Sequence, residues 1–164
     1  MIRVATAECF THGKIGREIH AFAQGYPLNY DWSIKREDYK ISLVAALFIP
    51  TISGLKTILK IKPLTPDHVL GDIKVYNEKS DKKMALKMAK SIKRITNADI
   101  GIGTTAGVGR GGIAIVTNKS EIITDSGVHA DLRFSEPKKI LERQAHGIKR
   151  CLKLFEKVLI DEFK

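Results

Sequence analysis

Cysteine is scarce, with two residues in 164, at positions 9 and 151. Thiols so far apart make no disulfide framework, and a reducing compartment leaves both free. The five histidines, at 12, 20, 68, 129 and 146, fall at no zinc-ligand spacing, so no metal site is expected. No apolar run reaches the ~18 residues of a membrane span; the longest, Ile41 to Pro50, suits a buried strand. The N-terminus lacks the basic-then-apolar pattern of a secretory leader. These absences point to a cytoplasmic protein with no membrane partner. Acid is in deficit, 18 Asp+Glu against 28 Lys+Arg, for a net charge of +10. Such an excess suits phosphate-bearing partners. The lysines are nevertheless spread over 79–93 and 138–157 rather than gathered on one arm. A solvated basic surface is therefore expected, and no nucleic-acid partner. Internal repeats and low-complexity tracts are also missing. A content of 43% hydrophobic and 28% charged residues excludes a disordered or fibrous chain and leaves one globular domain over residues 1–164.

The first stretch, from Ile2 to Lys14, organises the rest. Val4, Ala5 and Ala7 are small or β-branched, as a strand buried between helices requires. A polar turn follows, and Ile15, Ile19 and Phe22 then recur at helical spacing, which predicts a helix over about 11–24 with Thr11 as its N-cap. Cys9 thus stands at a strand C-terminus facing a helix N-terminus, the crevice where open α/β folds bind ligands. Free amides and the helix dipole favour thiolate there, so Cys9 is the candidate nucleophile. Inert packing is the alternative for a lone thiol, and Glu8 would disfavour thiolate if its carboxylate turned inward. His12 is a candidate proton shuttle or an exposed first-turn residue.

Further along, 26–32 is a turn-rich aromatic stretch expected to cover an edge of the core. Residues 39–49 predict a strand buried on both faces, 51–60 a short helix, and 69–76 a single strand despite Gly71. A helix capped by Ser80 or Asp81 is expected to run to about 96, with Met84, Met88, Ile92 and Ile95 facing inward. A strand over 98–103, a hairpin over 113–125 turning at 118–119, and a last helix opening at Pro137 complete the set. That helix carries Leu141, Ala145, Ile148, Leu152, Phe155 and Leu159 on its expected inner stripe, where Cys151 reads as a packing residue. Strands alternating with helices, plus one hairpin, give an α/β fold with a mixed, mostly parallel sheet flanked by helices, the first strand central.

The segment from Gly101 to Gly112 carries a second signal. Its glycines let backbone amides approach a ligand and form anion-cradling nests, with Gly107, Gly109 and Gly111 the candidates. Thr104 and Thr105 offer hydroxyls at the strand end, and Arg110 a bidentate fork for carboxylate or phosphate. No Lys-Ser/Thr pair follows and the third glycine falls one place late, so this is neither a P-loop nor a dinucleotide fingerprint. Tyr76 and Lys79 follow a strand end and are candidate acid/base helpers.

Residues 7–13, Ala-Glu-Cys-Phe-Thr-His-Gly, resemble the Ala-Glu-Ser-Cys-Thr-Gly-Gly segment of the CinA C-terminal domain, a nicotinamide-nucleotide amidase family. Cys9 takes the place of its serine nucleophile and His12 that of a glycine. Tyr76 to Lys79 and Asp99 to Gly112 resemble that family's tyrosine–lysine stretch and glycine loop, implying a CinA-like fold. Residues 5–13 and 103–112 also resemble the HcgF family over essentially the full chain. This resemblance implies a role in making the iron-guanylylpyridinol cofactor of the mononuclear-iron hydrogenase of methanogens. It implies guanylylpyridinol, or its adenylylated form, as substrate, with no tightly bound cofactor, and the adenylylating enzyme HcgE as partner. Cys9 would form a thioester, Thr11 and His12 would assist, and Glu8, Phe10, Tyr76, Lys79, Thr104, Thr105 and the 107–111 loop would hold the ligand. A homo-oligomer, dimer or higher, is expected. A cysteine amidohydrolase acting on a pyridine nucleotide is the alternative.

Overall fold

Small residues where backbones must approach, and branched ones where layers must fill, determine how the chain stacks. A computed structural model describes all 164 residues. The elements are β1 (Ile2–Glu8), α1 (Lys14–Gln24), β2 (Ile41–Phe48), α2 (Ile52–Thr57), β3 (His68–Leu70), β4 (Ile73–Val75), α3 (Glu78–Thr96), β5 (Ile100–Thr105), β6 (Val108–Gly109), β7 (Gly112–Val116), β8 (Glu121–Thr124), β9 (Ala130–Asp131) and α4 (Pro137–Phe163). The main sheet has five strands in the order β2-β1-β5-β7-β8. The first two pairings are parallel and the last two antiparallel, so β7 alone runs against the other four. β3 pairs with β4, and β6 with β9, in two small antiparallel ribbons.

Two apolar layers clasp the sheet. On one face Val4, Ile100, Ile102, Ile113 and Ile115 meet Ile15 and Ile19 of α1 and Leu152, Phe155 and Leu159 of α4. On the other, Ala5, Ala7 and Cys9 meet Leu55 of α2 and Met84, Met88 and Ile92 of α3. α3 lies so close on β5 that a Cβ at Gly103 would stand 2.2 Å from the Ala85 carbonyl oxygen. Bare glycine at alternate β5 positions is what lets this helix pack backbone against backbone.

Several expectations shift. β1 is flanked on both sides, but β5 holds the middle of the sheet. β2 is an edge strand with Val44 and Phe48 exposed, not a strand buried on both faces. A continuous apolar run reads the same in either place. Residues 69–76 do not form one strand: Gly71, at φ 64°, turns them into the β3–β4 hairpin. α1 begins at Lys14 and its N-cap position is Gly13, not Thr11. α3 is capped by Asn77, whose side-chain oxygen accepts from the Ser80 amide at 2.9 Å, so Ser80 and Asp81 lie inside the helix. α4 opens at Pro137 as expected, but its first half buries Arg143, Gln144 and Gly147 while Leu141 and Ala145 face outward. Cys151 and Trp32 sit against the core as expected, the indole stacked on Phe22 at 4.1 Å between centroids.

Candidate active site at the end of the first strand

Strand alternation decides which side of the sheet the chemistry faces. Odd positions of β1 and its continuation, Ala5, Ala7 and Cys9, point toward α2 and α3, and even positions toward α1 and α4. Cys9 follows β1 directly and is 8% exposed, among Ile49, Leu55, Tyr76 and Met84. Its amide donates to the Thr104 carbonyl at 2.9 Å and approaches Thr104 Oγ1 at 3.2 Å, which pins residue 9 to the end of β5. The 61–66 connector lies over this face, since Tyr76 Oη donates to the Leu64 carbonyl at 2.6 Å and Ile61 and Leu64 pack on the cluster. Burial, with the charge of Asp81 behind it, pushes the Tyr76 phenol up to about 12.

Glu8 works on the opposite face. Its carboxylate is fully buried and accepts from Thr6 Oγ1, Thr11 Oγ1, the Ile15 amide and the Gly16 amide at 2.7–3.0 Å. This glutamate, reaching forward from the strand, satisfies the first-turn amides of α1 that a local N-cap would take. Burial still raises its pKa, with the four hydrogen bonds pulling the other way. Thr11 is thereby freed for another partnership: its hydroxyl pairs with Thr104 Oγ1 at 2.8 Å. The turn 9–13 closes through the His12 amide on the Cys9 carbonyl at 3.1 Å, with His12 and Gly13 both left-handed at φ 55° and 77°. The Phe10 and Thr11 amides meet no acceptor in the protein. They are unspent donors on the two residues that follow Cys9. His12 is exposed, its ring 4.7 Å from that of Phe48, and burial and then Lys14 hold its pKa below the usual imidazole value.

Several donors of the glycine-rich arch are spent within the protein. Thr105 Oγ1 and the Gly107 amide donate to Asp81 at 3.3 and 2.8 Å, the Val108 amide to Tyr76, and the Arg110 amide to Glu78. The Arg110 fork also closes on Glu78, at 2.9 and 3.0 Å, which drops that carboxyl to about 2. Arg143, buried on α4, donates to the carbonyls of Gly107, Gly109 and Ala130 through one nitrogen. Gly111, at φ 78°, turns the arch back toward β7. Lys79 is exposed on the first turn of α3. Phe10 is buried on the α4 side, where Gly147 leaves room for its ring, so it does not line the thiol face.

The structure thus brings together Cys9, Thr11, Thr104 and Tyr76, and through Asp81 the 105–107 arch. Arg110, Lys79 and Phe10 stand apart. Sequence reasoning missed Lys74, Asp81 and Arg143 as site neighbours, all three at most 2% exposed. Burial raises Asp81 to about 7 against the opposing hydrogen bond from Gly107 and the charges of Lys74 and Arg143. The Arg143 pKa is lowered by burial, and the charges of Asp81, Cys9 and Asp131 resist that fall. No group of three or more His, Cys, Asp or Glu side chains is placed to hold a metal ion, and no helix is long and apolar enough to cross a membrane.

A family model described as FeGP cofactor biosynthesis protein HcgF matches residues 1–159. The chain belongs to the HcgF family. A UPF0254 protein of Methanothermobacter thermautotrophicus (strain Winter) is 55% identical over 161 residues, 98% of both chains. A UPF0254 protein of Methanocaldococcus jannaschii is 40% identical over 168 residues, 99% of both chains. Among solved structures, a CinA superfamily protein from Enterobacter cloacae superposes with a TM-score of 0.56 at 20% identity, covering 96% of this chain and 82% of its own. The competence damage-inducible protein A of Klebsiella pneumoniae gives 0.57 at 13% identity, covering 98% and 88%. At such identities the likeness establishes a CinA-like fold for this HcgF member, and the family match places it in cofactor biosynthesis.

Proposed function

We propose that this protein carries out an acyl-transfer step in assembly of the iron-guanylylpyridinol cofactor, with Cys9 as nucleophile. A carboxylate is a poor electrophile, so the carboxymethyl group of guanylylpyridinol arrives as an acyl adenylate, made by HcgE as the resemblance implies. The Cys9 thiolate adds to the acyl carbon, the C–O bond to the adenylyl phosphate breaks, AMP leaves as an anion, and a thioester remains. The thiol proton is lost to solvent before attack.

The observation that carries this reading is the pair of unspent amides at Phe10 and Thr11, directly after the sulfur-bearing residue. An oxyanion forming on the acyl carbon needs such donors, and one is worth about 3 kcal/mol in acyl-transfer sites. The α1 amides at Ile15 and Gly16 cannot serve, because Glu8 holds them. The apolar setting of Cys9, under the 61–66 connector, also limits water attack on a thioester once formed.

Intact-mass measurement after incubation with the adenylylated precursor tests the proposal. An adduct equal to the guanylylpyridinol acyl group is expected on the wild-type protein and none on Cys9→Ala. An adduct of that mass surviving in Cys9→Ala refutes it. Steady ammonia release from nicotinamide mononucleotide would instead support the amidohydrolase reading.

A further inference from the structure

A cavity of about 630 Å³ opens on the face of the sheet opposite the thiol, between α1, the 28–31 loop and α4, and Cys9 is not part of its lining. Its volume falls in the range of about 300–1,000 Å³ typical of small-molecule sites. Three cations face it, Lys14, Arg17 and Lys149, and none of them forms an ion pair within the protein. The buried carboxylate on its wall, Glu18, forms no direct ion pair with them. Its oxygens accept instead from the Asn29 amide at 2.9 Å and the Tyr30 amide at 3.5 Å, fastening the loop that forms one wall. Asp31 is the other acid in the lining.

Two features make this a built site rather than a solvated surface. Gln144, 5% exposed, accepts from Lys14 Nζ at 3.0 Å and donates to the Phe10 carbonyl at 3.0 Å, so its amide sets the position of the ammonium. Tyr30 is fixed likewise, its hydroxyl donating to Glu156 at 2.7 Å. Three cations against the two carboxylates Glu18 and Asp31 leave the concavity positive, which favours an incoming anion. Arg17 offers a planar fork that matches phosphate oxygens, and Leu28, Tyr30 and Ile148 offer a flat or apolar surface beside it. Asp31 can accept only from donors, such as sugar hydroxyls or ring N–H groups.

We infer that this cavity binds an organic phosphate of nucleotide size, the cations taking the phosphate and the loop and α4 taking the attached ring. Such a group could be the nucleotide tail of an acyl donor that also reaches Cys9, or a separate nucleotide. The inference stands whether or not Cys9 forms a thioester.

Calorimetric titration of Cys9→Ser protein with GMP, AMP, guanosine and inorganic phosphate tests it. At least one nucleotide is expected to bind, with guanosine and inorganic phosphate weaker. The Arg17→Gln/Lys149→Gln double variant should lose at least about tenfold in nucleotide affinity, as deletion of charge-assisted hydrogen bonds predicts. Absence of nucleotide binding, or binding unchanged in the double variant, overturns the inference. Inorganic phosphate binding as tightly as the nucleotides overturns the ring-binding part. The source of the phosphate is read from Cys9 acylation in the double variant. A slower rate identifies the acyl donor's own tail, and an unchanged rate with weakened nucleotide binding identifies a separate ligand.

Discussion

Replacing Glu8 with glutamine is the sharpest perturbation of the strand–turn–helix junction. The side chain keeps its shape, but one oxygen becomes an NH₂. Each Glu8 oxygen receives one hydroxyl and one backbone amide: Oε1 from Thr11 and Ile15, Oε2 from Thr6 and Gly16. Hydroxyls can rotate and accept from the new NH₂, whereas the amides cannot. Either orientation of the glutamine therefore strands one buried amide, of Ile15 or Gly16, against another donor. An unsatisfied buried donor costs about 1–3 kcal/mol, and loss of charge assistance on the surviving bonds adds roughly 1 kcal/mol. A total of about 2–4 kcal/mol, at 2–4 °C per kcal/mol for a chain of this size, lowers Tm by roughly 4–16 °C. Thermal unfolding followed by circular dichroism at 222 nm measures it, with urea titration giving the free energy directly. A Glu8→Gln protein melting within 1 °C of wild type would refute the view that this carboxylate caps α1. If its main duty were ligand contact instead, affinity would fall with Tm unchanged.

Three further outcomes follow from the same geometry. Asp81 is raised from an ordinary 3.8 to about 7 by burial, so the folded state holds its proton more tightly than the unfolded one. Its contribution is complete below pH 3.8 and is lost as pH rises through about 7, at most about 4 kcal/mol over that window. Asp81→Asn should flatten the fall in urea midpoint between pH 4 and 8, and an equally steep fall in the variant would sink the assignment. Gly103→Ala puts a methyl 2.2 Å from the Ala85 carbonyl oxygen, so α3 must shift off β5 at a cost of about 1–3 kcal/mol, read by urea unfolding. Iodoacetamide should label Cys9 in the native protein and reach Cys151 only on unfolding, because Cys151 is fully buried and burial lifts its thiol pKa well above normal. Peptide mapping with Cys151 labelled first would contradict that ranking.

Periodicity made much of this fold legible. The small and branched residues of β1, the opening of α4 at Pro137 and the hairpin of β7 and β8 follow from local patterns, and the structure has them. What stayed hidden was charge placed inside. Amphipathic reading sends Asp81, Lys74 and Arg143 to the solvent, yet all three are buried; Asp81 and Arg143 hold the amides and carbonyls of the glycine-rich arch, and Lys74 reaches the Pro50 carbonyl at 3.5 Å. A helix stripe drawn from apolar residues chooses Leu141 and Ala145. The observed inner face of early α4 is polar because it serves the arch and the Phe10 carbonyl. The N-cap rule failed at Thr11 for a related reason. The rule looks one residue back from the helix, and the acceptor that satisfies α1 comes from the preceding strand.

The alternation of β1 also explains why one turn carries two unlike environments. Beyond Ala7 the chain exposes Glu8 and Phe10 to the α1–α4 side and Cys9 to the α2–α3 side. The side chains that anchor the turn and the Cys9 thiol are thereby segregated by the sheet itself, so fixing the turn does not engage the thiol. The two faces still communicate over a short path. Gln144 joins the basic cavity to the Phe10 carbonyl, and the Thr11 amide of that same peptide unit is one of the two unspent donors that follow Cys9. A phosphate drawn against Lys14 would pull on Gln144 and, through it, on the Phe10–Thr11 peptide. Gln144→Leu cuts that path while leaving Lys14, Arg17, Lys149 and Cys9 themselves in place. It should lower the Cys9 acylation rate even when nucleotide is saturating, so that any loss of affinity from releasing Lys14 is separated from loss of the path. A rate equal to wild type in stopped-flow acylation would show the two faces to be independent.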